Sequence, residues 1–153
     1  MTYFQNYYHA NKDNILERLS NNQKQRYKED IEFKLFKRVQ ARIKNELPEW
    51  TSGPGLNDGT IEELLGCSLS FLLKWIKFNI NKYPDWDNIH LHHVRPISTF
   101  SKHKHNAFHW TNTLPIDKHN NLSIKNTRNK YEEDQQIKRI NQFLLATEIS
   151  SNE

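Results

Sequence analysis

The chain has 153 residues, with 22 Lys plus Arg against 18 Asp plus Glu, which leaves a net charge of +4 and room for one domain of ordinary size. Only 35% of residues are hydrophobic while 12% are aromatic, a balance that excludes both a large apolar interior and a fully solvated polymer, and predicts a small core with long polar flanks. No run approaches the roughly 18 apolar residues of a membrane span, the start lacks a basic stretch followed by an apolar one, and the single Cys67 allows neither an internal disulfide nor a cysteine zinc cluster. The expectation is an intracellular protein, cytoplasmic or at the nucleoid or nucleus, neither secreted nor in a membrane.

In chain order, residues 1–30 alternate aromatic Tyr3, Phe4, Tyr7 and Tyr8 with Asn- and Gln-rich sequence, which reads as a loosely packed helix or a frayed arm. From Ile31 the pattern tightens. Ile31, Leu35, Val39, Ile43 and Leu47 recur every four residues, and Lys34, Lys37, Arg38 and Lys44 fall mostly elsewhere on the wheel, so a basic-faced amphipathic helix is expected to stop before Pro48. Residues 53–59 read as an exposed connection. Thr60 and Glu63 have capping-box spacing and Gly66 is a left-handed stop, which predicts a short helix over 60–65. Leu69, Leu72, Leu73, Ile76 and Ile80 then form one apolar stripe of a helix ending before Pro84.

Beyond Pro84 the helical period disappears. Residues 89–97 read as a strand capped by Pro96, residues 108–114 as a second extended segment, 117–130 as polar and capable of helix, and 131–145 as a last helix with a frayed tail from Glu148. The division expected is an arm over 1–30, a helical region over 31–83, a chemical segment over 84–130 and a C-terminal helix and tail over 131–153.

That chemical segment is sharply basic. Between residues 90 and 130 lie seven Lys or Arg against the single acid Asp117, a local charge of +6 with −2 on the rest, and seven of the eight histidines fall between 90 and 119. Positive charge and candidate chemistry therefore share one stretch, which points to a polyanionic partner.

Three blocks stand in order there: His90-Leu-His92-His93-Val-Arg95-Pro96-Ile-Ser98, Phe108-His109-Trp110-Thr-Asn112-Thr-Leu-Pro115-Ile, and Asn121-Leu-Ser123. Together they resemble the HNH endonucleases of phages, viruses and mobile elements. Leu64-Leu-Gly66-Cys67-Ser68 upstream also looks like a segment that often precedes the nuclease motif in that group, so the likeness covers roughly residues 31–126. Asn112 and Asn121 are nine positions apart, as in the family.

The resemblance implies an α+β, mostly helical fold carrying a ββα-metal (His-Me finger) motif with flanking N- and C-terminal helices. It implies metal-dependent hydrolysis of DNA phosphodiester bonds, by nicking or double-strand cleavage and with a homing or mobile-element role, in a monomer or homodimer; RNA stays open as substrate. Residue by residue, His93 would be the general base, near an unperturbed imidazole pKa of about 6.5. Asn112 would hold the loop between the strands and orient His93 through an amide hydrogen bond. His92 and Asn121 would bind one divalent cation, and His90 and His109 would line the site or support it from behind, the alternative being partly buried rings packed against Trp110. Because both His92 and His93 must address one phosphate, they are expected where the strand ends or bends.

His92 stands where the family often has Asp. An imidazole and an amide leave a cation dependent on water and phosphate, and bring Ni²⁺, Co²⁺ or Zn²⁺ into range beside Mg²⁺ or Mn²⁺. Arg95, Lys118, Lys125 and Arg128, with Lys37 and Arg38 on the first amphipathic helix, are the expected phosphate contacts. The same departure leaves an alternative, a catalytically degenerate DNA-binding module of the same fold. A structural metal site of clustered histidines is a third reading, weakened by the lack of a four-ligand spacing.

Overall fold

The structure is a computed structural model and describes residues 2–51, 58–80, 86–118 and 127–150. The fold is mostly helical with one small antiparallel sheet, an α+β arrangement. The chain divides into two compact units, Met1–Arg38 and Val39–Glu153.

In the first unit, helix α1 runs Tyr3–Glu29 and α2 begins at Ile31. Of the two expectations for 1–30, a loosely packed helix or a frayed arm, the structure shows the helix, continuous over Tyr3–Glu29. None of its residues is buried, so local terms hold it. Thr2 and Gln5 form a reciprocal capping box, and Arg26 and Lys28 place positive charge in the last turn, where the helix dipole favours it. Asp30 closes one helix and opens the next. Its N–H donates to the Arg26 carbonyl (2.8 Å), its Oδ1 accepts from Phe33 N (2.9 Å), and its Oδ2 pairs with Arg26 (3.0 Å). The Phe33 N–H and then the Arg26 guanidinium hold its carboxyl below the ordinary carboxylate value.

The second unit takes the remainder of α2 to Glu46, a 3-10 turn Pro48–Thr51, helix α3 (Asp58–Leu65), helix α4 (Leu69–Asn79), strand β1 (Ile89–His93), strand β2 (Thr113–Asp117) and helix α5 (Lys130–Ser150). The four-residue stripe of α2 is buried at Val39, Ile43 and Leu47, and that of α4 at Leu72, Leu73 and Ile76, as the periodicity requires. Ser68 caps α4 by accepting from Phe71 N. Helix α3 starts at Asp58, so Thr60 lies inside its first turn instead of capping it. Helix α5 runs on to Ser150, past the point where a frayed tail was expected.

Trp75, Trp110, Phe71, Phe78 and Phe143 form an aromatic cluster with ring centroids from 5.0 to 6.3 Å apart, mostly edge-to-face but with Phe78 stacked on Trp75 and tilted on Phe143, joining α4, the turn before β2, and α5. The sheet is a β1–β2 pair in which Ile89 faces Asp117 and His93 faces Thr113. β1 ends at His93, four residues short of the expected 97, because Val94 N and Arg95 N turn to Asn112. β2 begins five residues later than expected: residues 97–108 and 110–112 are 3-10 turns, and extended backbone starts only at Thr113. Pro115 is tolerated inside β2 for a geometric reason. Lys118 N donates to Asn88 O and Val94 N to Asn112 O, which puts the hydrogen-bonded pairs at even positions of β1 and leaves Leu91–Pro115 a non-hydrogen-bonded pair.

Candidate active site

His93 is the last residue of β1 and is buried, 7% exposed. The strand therefore ends where the chemistry was expected to need it to. Phe108 stands edge-on to the imidazole with centroids 4.9 Å apart, so the ring has little freedom to turn. Its Nε2 lies 3.0 Å from Glu46 Oε2, on the last turn of α2. Its Nδ1 is buried and has no hydrogen-bond partner among the described residues.

Glu46 is held in turn by Arg42, one helical turn earlier, whose Nε lies 2.9 Å from Glu46 Oε1 and whose Nη1 donates to the Leu91 carbonyl in β1. Burial raises the Glu46 pKa, but the His93 hydrogen bond and the Arg42 charge outweigh it and bring the carboxyl to about 2. Burial pushes the His93 imidazole below its ordinary value; Glu46 acts against that without reversing it. Near neutral pH the pair is thus an ionised carboxylate beside a neutral imidazole.

Asn112 does not bond to the His93 ring, contrary to the expected amide contact. Its Oδ1 accepts from Arg95 N (2.8 Å), and its Nδ2 donates to Arg95 O (3.0 Å) and Ala107 O (2.9 Å). The side chain closes the loop that leaves β1 and returns to β2, since a primary amide offers two donors and an acceptor where three backbone groups need partners. Among the described residues Asn112 thus bonds only loop backbone, and the side chain that bonds the His93 ring is Glu46. Glu46 carries no sequence signal for this: it sits 47 positions upstream, on a helix whose phase says nothing about which strand it meets.

His92 is half-buried opposite Leu114, with its Nε2 shielded from solvent. Its expected co-ligand Asn121 lies outside the described residues, as does Lys125. Among the described residues no three His, Cys, Asp or Glu side chains gather as a ligand set. An imidazole on β1 fits a site built from few protein donors and completed by water and phosphate, but not a closed protein cage.

His90 is half-buried opposite Ile116. His109 packs on the backbone of Gly66 and caps the Trp110–Asn112 turn, its Nδ1 2.8 Å from Thr111 Oγ1. Arg95 folds back on its own loop, bonding Thr99 Oγ1 (3.0 Å) and stacking over Phe100 (4.6 Å). Arg128 is paired bidentately with Glu133 at 2.6 and 2.9 Å. Lys118 is exposed at the end of β2. Lys37 and Arg38 belong to the first unit, where Lys37 lies over the Phe33 and Phe36 rings. The loop between the strands also exposes Lys102 and Lys104, flanked by non-helical backbone at Ser101 (φ 48°) and His103. These two lysines were not singled out from the sequence, although their charge was counted in the basic stretch. Cys67 is half-buried; burial and then the Glu62 carboxylate push its thiol up to about 12, which leaves it unreactive. No described helix is long and apolar enough to cross a membrane.

Two viral proteins are similar to this chain. It is 31% identical to the uncharacterized protein L246 of Acanthamoeba polyphaga mimivirus over 144 residues, covering 89% of this chain and 59% of that protein. It is 26% identical to the uncharacterized protein L426 of the same virus over 121 residues, covering 74% of this chain and 51% of that protein. The chain thus spans little more than half the length of these relatives. No protein-family profile matches it, and no solved structure matches it.

Proposed function

We propose that the protein is a metal-dependent endonuclease of the HNH type, with β1 and β2 as the two strands of a ββα-metal motif that hydrolyses phosphodiester bonds in DNA. The observation that carries this reading is the His93 ring, pinned at one nitrogen and buried at a strand end, with Nδ1 lacking a hydrogen-bond partner among the described residues. A buried acceptor left unmatched costs about 1–3 kcal/mol, a cost that a water admitted to Nδ1 with the substrate would relieve. His93 Nδ1 takes a proton from that water as its oxygen bonds to phosphorus and the ester oxygen departs. Asn112 keeps the loop closed so that the end of β1 stays in place.

His92 and Asn121 would hold one divalent cation, Mg²⁺ or Mn²⁺ or a metal that tolerates nitrogen, whose chemistry is neutralisation of charge at the scissile phosphate. The exposed Lys102, Lys104 and Lys118 are the cations best placed to meet phosphates, since Arg95 and Arg128 are already engaged.

The test is supercoiled plasmid incubated with the full chain across Mg²⁺, Mn²⁺, Ni²⁺, Co²⁺ and Zn²⁺, with EDTA and His93→Ala controls. Nicked circles that require both metal and His93 are expected. Intact plasmid in every lane, or cleavage that persists in His93→Ala, would overturn the assignment.

A further inference from the structure

We propose that Glu46 is the positioning residue for His93, fixing the imidazole as the Nε2–H tautomer so that the unprotonated Nδ1 is the face offered to the reacting water. The inference rests on the nuclease reading and adds to it a residue from a helix outside the ββα segment.

A neutral imidazole has one donor nitrogen and one acceptor nitrogen, while an ionised carboxylate only accepts. A 3.0 Å contact between His93 Nε2 and Glu46 Oε2 therefore places the hydrogen on Nε2 and the lone pair on Nδ1. Without such a partner the two tautomers interconvert freely, and the wrong one turns a donor toward the water it should deprotonate.

The carboxylate is itself fixed from a second direction. Arg42 bonds Glu46 Oε1 at 2.9 Å and reaches the carbonyl of Leu91, two residues before His93 on the same strand. One guanidinium thereby ties the end of α2 to β1, and the distance from carboxylate to imidazole is set by backbone on both sides. Phe108 edge-on to the ring, 4.9 Å between centroids, opposes the rotation that would exchange the two nitrogens. When Nδ1 accepts a proton the ring becomes a cation, and Glu46 remains ionised beside it, so no second proton transfer is needed.

The experiment uses the full chain with ¹⁵N-labelled histidine. Two-bond ¹H–¹⁵N correlations at neutral pH identify the tautomer of each ring, and the spectrum of His93→Ala assigns the His93 signals. The Nε2–H form is expected for His93. In Glu46→Gln, whose amide offers either a donor or an acceptor, the Nδ1–H form should become populated, and kcat for plasmid nicking should fall about 100-fold or more with KM within about twofold.

A wild-type ring found as Nδ1–H, or as imidazolium, overturns the proposal, and that measurement needs no variant to fold. A wild-type-like tautomer in folded Glu46→Gln overturns it as well. Wild-type protein that shows the Nε2–H form, loses it in Glu46→Gln and yet cleaves no DNA supports the Glu46 assignment and overturns the nuclease reading.

Discussion

The imidazole of His109 occupies the space that a Cβ on Gly66 would need. Gly66 also has φ +65°, a conformation that L side chains adopt at a cost, so two independent reasons demand glycine where α3 ends. Gly66→Ala is expected to destabilise the fold by about 2–4 kcal/mol, the sum of the left-handed penalty and the forced shift of a packed ring. In a His109→Ala background only the backbone part should remain, about 1–2 kcal/mol. Urea unfolding of the four proteins of this cycle checks the coupling. Equal costs in both backgrounds would mean that the ring contact contributes nothing.

Asn112 offers a second test, because its amide serves three backbone groups at once. Asn112→Asp keeps an acceptor for Arg95 N but turns a second oxygen toward the carbonyls of Arg95 and Ala107. Two lost donors and the new repulsion should make it at least as destabilising as Asn112→Ala, on the order of 2–4 kcal/mol. Hydrogen exchange separates the variants: the Arg95 amide should lose protection in Asn112→Ala and keep more of it in Asn112→Asp. Loss of protection in neither would remove Asn112 from its loop-holding role.

These two residues also show what the sequence made legible. Gly66 could be read as a stop because helix termination is local, and Asn112 could be singled out because the block it stands in resembles one of the HNH family. The apolar stripes of α2 and α4 were legible for the same reason, since a period of 3.6 residues is written within one segment. Glu46 was not, because a hydrogen bond across 47 positions leaves no trace in local spacing. Helix α1 could be read only as a loosely packed helix or a frayed arm, because it buries nothing and a helix held by a capping box and side-chain pairs has no apolar period to detect. The start of β2 was placed early because the Trp110–Asn112 turn has the aromatic and polar alternation of a strand.

Acid should weaken the second unit in a defined order. The His93 pKa is lowered by burial, so protons bind the unfolded chain more readily than the folded one as pH falls below the ordinary imidazole value near 6.5. Glu46 follows: its folded pKa of about 2 lies below the ordinary 4.5, so its contribution is complete above 4.5 and is lost as pH falls toward 2. Its side chain remains 32% exposed, and with solvent screening the carboxylate contributes on the order of 1–2 kcal/mol. Urea midpoints measured between pH 8 and 3 should fall monotonically, and in Glu46→Gln the loss below pH 4.5 should shrink. A flat profile from pH 6.5 to 4.5 would contradict the His93 assignment, and a loss from pH 4.5 to 3 unchanged in Glu46→Gln the Glu46 one.

The carbonyl of Thr113 carries the last prediction. His93–Thr113 is a non-hydrogen-bonded pair of the sheet, so this oxygen points away from β1, where Trp75 Nε1 (2.7 Å) and Gln136 Nε2 (3.3 Å) both donate to it. Gln136 also donates to Thr111 O (2.9 Å), so α4 and α5 converge on the backbone that flanks Asn112. Trp75→Phe keeps most of the ring in the aromatic cluster and leaves Gln136 as donor, and should cost about 1 kcal/mol. Gln136→Leu leaves Trp75 as donor and also removes a buried amide oxygen that has no hydrogen-bond partner among the described residues, which offsets part of its cost. The double variant strips the buried carbonyl of both donors and should exceed the sum of the single changes by about 1–2 kcal/mol. Additive costs in denaturant unfolding would show that the two donors act independently, and that the β2 backbone is held by the aromatic cluster alone.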